Sequence, residues 1–154
     1  MKSARFGRRY SAFLMDIFFL EILGAVVTIP LVHSSNPSLA KAFIKGLISG
    51  RMTPEEIQLV AVYSLLLVAS WILYFVGFTV FCGQTPGKRM FGLRVIREDG
   101  GPVDWATASV RYCFGYPVSL LPLGLGFYWA LPDPDNQTWH DKVARTLVVE
   151  TAAS

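Results

Sequence analysis

Asp16 and Glu21 interrupt an otherwise apolar run from Tyr10 to Val32. A charge near the centre of a bilayer costs roughly 2.5–3.5 kcal/mol on insertion scales, so these two carboxylates ask for an explanation. Counted from Tyr10, Asp16 lies about 9 Å along a helix and Glu21 about 16 Å, near mid-depth. Five positions rotate them about 140° apart, so they share no narrow face. One chemistry for the pair is an intramembrane proton or cation site inside a helix bundle. The plainer one is a neutral acid hydrogen-bonded to a neighbouring helix. For the shallower Asp16 it is a contact with a cytoplasmic segment.

Other chemistry-bearing residues lie after the second apolar run. Gly83-Gln84-Thr85-Pro86-Gly87-Lys88-Arg89 is superficially a phosphate-binding loop, but its glycine spacing is one short. Arg89 also stands where Ser or Thr should, and an apolar helix precedes it rather than a strand. The better reading makes Thr85 an N-cap and Pro86 the opening of a short interfacial helix. Lys88 and Arg89 would then meet anionic headgroups, with Gln84, Thr85, Gly87, Arg111 and His140 completing a cytoplasmic cap. His140-Asp141 is half of a metal or triad site, without a second His nearby, since His33 is expected outside. G-x-S-x-G, H-E-x-x-H and paired-Cys patterns are absent from the sequence. The expectation is therefore no enzyme, no metal and no cofactor. Cys82 and Cys113 fall near the cytoplasmic interface, where thiols stay reduced. Arg9 precedes Asp16 by seven residues, on nearly the same face and about 10.5 Å away. It should snorkel to the interface and meet Asp141 there. Asp16, deeper, is within reach of Arg89, Lys88 or Gln84.

The elements that must position these residues follow from composition. Of 154 residues, 53% are hydrophobic and 16% charged, against about 45–50% and about 25% in soluble domains. This charge deficit excludes disorder, a coiled coil and most soluble enzymes, and the length suits one domain. Tyr10 to Val32 and Ile57 to Cys82 each exceed the roughly 20 residues that cross a bilayer core. Thr53, Pro54 and Glu56 start the second as N-cap, first helical residue and capping-box partner, and Gly83 ends it. A cleaved signal peptide fits the first run less well: its apolar stretch is too long and carries two acids. Four Lys/Arg lie in the first ten residues, five in residues 83–111 and three in the loop 33–56. Positive-inside reasoning puts the N-terminus and 83–111 in the cytoplasm. In the outer loop, Leu39, Phe43, Leu47 and Ile48 recur opposite Lys41 and Lys45. They read as an amphipathic helix on the outer surface or one packed on the protein's own spans.

Tyr112 to Leu131 is also free of charge, but Gly115, Pro117, Pro122, Gly124 and Gly126 interrupt it. Leu93-Arg94-Val95-Ile96 and Leu147-Val148-Val149-Glu150 read as strands that need each other, which puts the C-terminus in the cytoplasm as well. Residues 105–131 must then enter and return, as a shallow re-entrant or interfacial helical pair with arms of about a dozen residues. Glu98-Asp99-Gly100-Gly101 marks a turn, and Asp104 can cap a helix at Trp105. The basic residues gather at membrane edges, so nucleic acid is not an expected partner. The expected fold is an α-helical integral membrane protein with two transmembrane helices, an amphipathic outer helix, the re-entrant pair and a small cytoplasmic β-hairpin-like cap.

These motifs carry a resemblance. Arg9-x-x-Ala12-x-x-Met15-Asp16, the Gly83–Arg89 stretch continued by Gly92-Leu93-Arg94-Val95, then Asp99-Gly100-Gly101-Pro102, Arg111 and His140-Asp141-x-x-Ala144-x-Thr146-x-Val148-Val149 resemble the RDD family of small multi-pass membrane proteins. The likeness covers about residues 4–150 as one domain. That family is named for one Arg and two Asp, which map by motif position onto Arg9, Asp16 and Asp141. Met15 stands where the pattern often has Ile, and Arg145 precedes Thr146 where it often has Gly. The resemblance implies a cell membrane protein, in the inner membrane of a bacterium, with the lipid bilayer and either its own copies or another membrane protein as partners. Transport of ions or small ligands by an oligomer, coupled to protons, is the leading expectation. A non-enzymatic scaffold or accessory subunit is the alternative.

Overall fold

The computed structural model describes residues 2–34 and 39–151. The chain divides into two compact units, Met1–Phe19 with Ile72–Ser154, and Leu20–Trp71. Helix α1 (Phe6–Ser34) begins a turn before the expected Tyr10 and continues from the first unit into the second. Helix α3 (Pro54–Ile72) runs on through a π-helical turn (Leu73–Gly77) into α4 (Phe78–Cys82). Among the described residues, Pro54–Cys82 is the one helix long and apolar enough to cross a membrane. Two full spans were expected; α1 is as long but does not meet that test over its described residues.

In the Leu20–Trp71 unit, the start of α3 is a reciprocal cap. The Thr53 hydroxyl accepts from the Glu56 amide at 3.3 Å, and the Thr53 amide donates to Glu56 Oε2 at 2.7 Å. Helix α2 (Leu39–Ser49) is tied to that start by Lys45, whose Nζ lies 3.1 Å from both Glu56 oxygens. Ile44, Leu47 and Ile48 are exposed at helical spacing, as an amphipathic helix requires. The side chains of His33, Leu39 and Phe43 lie outside the described residues.

In the other unit, Gly83 ends α4 in the left-handed conformation, its amide donating to the Thr79 carbonyl at 2.9 Å. Thr85 caps α5 (Pro86–Met90). Strand β1 (Leu93–Arg97) pairs antiparallel with β2 (Thr146–Glu150), in register from Leu93 opposite Glu150 to Arg97 opposite Thr146. This is the expected strand pair, but not a hairpin, because all of residues 98–145 lie between its strands. The N-terminal residues add to its far side. Ser3 bridges Val149, Ala4 donates to Val148, and Glu150 donates to Lys2.

Between the strands the chain makes the doubled-back segment. Asp104 caps α6 (Trp105–Ser109), accepting from the Thr107 amide at 2.7 Å. A second π-helical turn (Val110–Gly115) leads into α7 (Tyr116–Leu120). Pro117 sits in that helix's first turn. The chain reverses at Leu123 and Gly124, both at positive φ, and returns in α8 (Leu125–Tyr128). The arms are unequal: helix fills 105–120, whereas the return holds one turn of helix and then irregular chain. Gly126 permits the close approach, since a Cβ there would stand 2.5 Å from Ser119 Cα. Helix α9 (Trp139–Val143) then leads to β2.

Candidate functional site

Asp16 is fully buried and accepts three strong hydrogen bonds. The Tyr74 hydroxyl and the Gly87 amide donate to Oδ1, each at 2.8 Å, and the Thr85 hydroxyl donates to Oδ2 at 2.6 Å. Each donor comes from a local device. Tyr74 is carried inward by the first π turn, Thr85 is the cap of α5, and Gly87 follows Pro86 in that helix. Gly87 must be glycine, because a Cβ would meet the Ala12 carbonyl at 2.3 Å and Asp16 Oδ1 at 2.6 Å. Lys88 Nζ stands 3.8 Å from Oδ2, with the rings of Phe75 and Tyr112 within 6 Å. The Tyr112 hydroxyl is bonded to that of Thr79 at 2.9 Å.

Asp141 is the second buried carboxylate. As the third residue of α9 it accepts from the Thr138 amide at 2.8 Å and the Thr138 hydroxyl at 2.5 Å, completing a capping box. Arg9 of α1 bonds the same Oδ2, while Arg111 Nη1 faces Oδ1 at 2.5 Å. Arg9 further donates to the Asn136 carbonyl, and Arg111 to the Thr146 hydroxyl of β2. Burial alone would raise the Asp141 carboxyl; Arg111 and Arg9 outweigh it and hold the group well below the usual carboxylate range. One carboxylate thus joins α1, the second π turn, α9 and β2.

His140 is buried beside this network, 4.4 Å from the Tyr116 ring and 5.2 Å from Phe127. Burial pushes its imidazole well below the ordinary value against the pull of Asp141, and the Arg111 and Arg9 charges reinforce that. Thr138 gives its proton to Asp141, so Nε2, 2.8 Å away, is the protonated ring nitrogen. Nδ1 faces Ser119 at 3.3 Å, whose own proton goes to the Gly115 carbonyl. A neutral imidazole protonated at Nε2 then has Nδ1 as an acceptor that receives no proton from Ser119. Ser119 is fully buried, and its hydroxyl lies nearer the Gly115 carbonyl, at 2.8 Å, than His140 Nδ1, at 3.3 Å.

Several expectations need correction. Lys88, expected at the headgroups, is over nine-tenths buried, as are Arg111 and His140 of the expected cap, and each serves one of the two carboxylates or the aromatic box. The five-residue α5 rolls Gly87 and Lys88 inward and leaves Arg89 and Met90 outward, so Arg89 alone of that helix's cations is exposed. Gln84 is half-buried. Arg9 and Asp141 meet at one site, whereas Arg89 and Gln84 have no bond to Asp16 among the described residues. Glu21 is exposed on the stretch of α1 belonging to the Leu20–Trp71 unit, apart from the hydrogen-bonding of Asp16. Sequence reasoning missed Tyr74, Thr79, Ser119 and Thr138, and read Thr146 as a motif residue without a role; these are buried hydroxyls without any common spacing. Only Thr138, three residues before Asp141, carried a signal, that of a capping box. Among the described residues no cluster of His, Cys, Asp and Glu could hold a metal.

A helix with the length and apolarity of a membrane span, in a chain whose cap is built around two buried carboxylates, defines a small helical membrane-type protein. The chain belongs to the RDD family, matching it over residues 3–145. It is similar to the uncharacterized protein YckC of Bacillus subtilis (strain 168), with 28% identity over 96% of this chain and 84% of that protein. No solved structure matches it significantly.

Proposed function

We propose that this is a non-enzymatic, multi-pass protein of the cell membrane that moves an ion or small ligand as an oligomer, with Glu21 as its proton-bearing residue. In this reading α1 and Pro54–Cys82 both span, both termini are cytoplasmic, and the membrane is a bacterial inner membrane. The observation that carries it is Glu21: an exposed carboxylate on α1 whose neighbours Ile22 and Leu23 are exposed too. Facing lipid alone such a group is costly, and a second copy is the simplest source of a partner. A single chain of this size is too small to enclose a pathway. Asp16, grouped with Glu21 at first, is given a structural role, since its donors already satisfy it. The test is flux of monovalent cations into proteoliposomes at several pH values, for the wild type and Glu21→Gln. Loss of flux in a well-folded Glu21→Gln protein is expected. Undiminished flux in that protein would remove the proton-coupled reading.

The engagement of Asp16 by protein donors and of Asp141 by two guanidiniums favours a second reading, a membrane scaffold or accessory subunit. A wild type that moves none of the cations, yet co-purifies stoichiometrically with another membrane protein, would decide for it.

A further inference from the structure

We infer that the α6–α8 hairpin re-enters the bilayer from the cytoplasmic side and buries its leucine tip in lipid hydrocarbon near the mid-plane. The inference rests on Pro54–Cys82 being a span, and not on transport.

Two helices act as rulers for the depth of this hairpin. Along the end of the span, Phe81 packs on Trp105 at 5.4 Å, and Phe75 on Tyr116 at 6.0 Å. Six residues separate Phe81 from Phe75, about 9 Å of helix. Along α1, Phe6 packs on Tyr128 at 5.8 Å, while Phe13 packs on Tyr116 at 6.1 Å and on Phe127 at 6.2 Å. Seven residues separate Phe6 from Phe13, about 10.5 Å. Both rulers put Tyr116 about 10 Å inside the end of the membrane helices, level with Phe127, with Trp105 at the rim and the Tyr128 ring turned toward it. One further turn of α7, about 5 Å, carries the chain to its reversal, close to half of a roughly 30 Å hydrocarbon core.

The tip has the chemistry of that depth. No charged residue occurs from Tyr112 through Pro132. Leu121 is 81% exposed and Leu123 96%, so the tip is an apolar surface. Irregular backbone is excluded from hydrocarbon because its polar groups go unpaired there. This reversal pairs four of its amides internally: those of Leu121, Gly124, Leu125 and Phe127 donate to the carbonyls of Pro117, Leu120, Pro122 and Gly124 at 2.9–3.0 Å. Pro122 has no amide to satisfy. The partner that fits such a surface is acyl chain.

The experiment uses the full chain with Cys82→Ser and Cys113→Ser, spin-labelled singly at Leu123→Cys, Trp105→Cys or Leu65→Cys, in phosphatidylcholine–phosphatidylglycerol vesicles. Collision with oxygen is compared with collision with a water-soluble nickel chelate. The expected result is oxygen-rich, nickel-poor relaxation at 123, similar to 65, with nickel access rising several-fold at 105. Nickel access at 123 would overturn the inference in favour of a water-lined pathway or a surface-lying hairpin. Poor access of both reagents at 123 would overturn it in favour of a protein-covered tip. Nickel access at 65 would overturn the membrane reading itself, which keeps the two failures distinguishable. Leu123 has almost no contacts to lose, so its label leaves the fold intact; quenching of Leu121→Trp by acyl-brominated lipid provides a second depth reading.

Discussion

Consider the removal of Asp141. Its carboxylate gathers two guanidiniums whose side chains are 10% and 1% exposed, together with the amide and hydroxyl of Thr138. In Asp141→Asn the cap acceptor remains and the charge goes, leaving Arg9 and Arg111 facing each other without compensation. Breaking a buried pair in this way costs about 3–5 kcal/mol. Asp141→Ala also loses the cap, adding about 1 kcal/mol. At roughly 2–4 °C per kcal/mol for a chain of this size, Tm in detergent should fall by about 6–20 °C for Asn and further for Ala. Arg111→Met leaves Asp141 with Arg9 and Thr138, so its loss should be smaller than the sum would imply in the double variant. The coupling of Arg111→Met with Asp141→Asn should reach 1–3 kcal/mol, about the upper part of the range for residues in one network. The assay is thermal unfolding by circular dichroism, with folded yield by size exclusion. Effects of the two substitutions that add within about 0.5 kcal/mol would refute the claim that this carboxylate locks the cap. Arg9→Ala with Asp141→Ala should be less than additive for the same reason.

Other outcomes follow from the same geometry. His140 is neutral in the fold with its proton affinity depressed, so the unfolded chain takes the proton first. Stability should be full above the ordinary value of 6.5 and fall as pH drops below it, by up to about 1.4 kcal/mol per unit; Asp141, also depressed, adds a loss of the same sign below about 3.8. A stability profile in His140→Asn that keeps its slope between pH 6.5 and 4.5 would contradict this. Gly87→Ala should lower folded yield as severely as Asp16→Asn, because the added methyl strikes the Ala12 carbonyl and Asp16 together, and gel filtration of the two variants checks it. Lys2 and Thr151 are exposed beside one another's strands. Lys2→Cys and Thr151→Cys should both resist an impermeant thiol reagent added outside intact cells, and labelling of either would place that terminus outside. Ala153, the more natural position for such a label, lies outside the described residues.

What could be seen in the sequence was whatever local chemistry determines. The caps at Thr53, Thr85, Asp104 and Thr138 act within three residues, and each was either read or readable. The two strands alternate and had no other partner, so their pairing followed by elimination, although 98–145 separates them. What could not be seen was which cations turn inward. Lys88, Arg89 and Arg111 are equivalent in a count of basic residues beside an apolar run. The difference is rotational: α5 is pinned through Thr85 and Gly87 to Asp16, and the second π turn shifts Arg111 toward Asp141. Neither the pinning nor the π turn has a sequence period. The proline and glycine pattern in 112–131 announced a break, but the reversal fell at Leu123-Gly124 because Gly126 alone lets the return arm touch Ser119.

The buried pair of Arg9 and Asp141 joins residues 132 positions apart, which gives this small fold a schedule. At synthesis rates of about 5–20 residues per second, Arg9 leaves the ribosome on the order of ten seconds before the carboxylate that will neutralise it. Asp16 waits a shorter interval for Thr85 and Gly87. During that delay the first helix has an unpaired guanidinium and carboxylate, which favours an early residence near the aqueous interface. The N-terminal residues likewise have no strand to join until β2 is made. Closure of the cap therefore waits for α9 and β2, and a nascent chain stalled before α9 would present an open, charged end to a membrane protease.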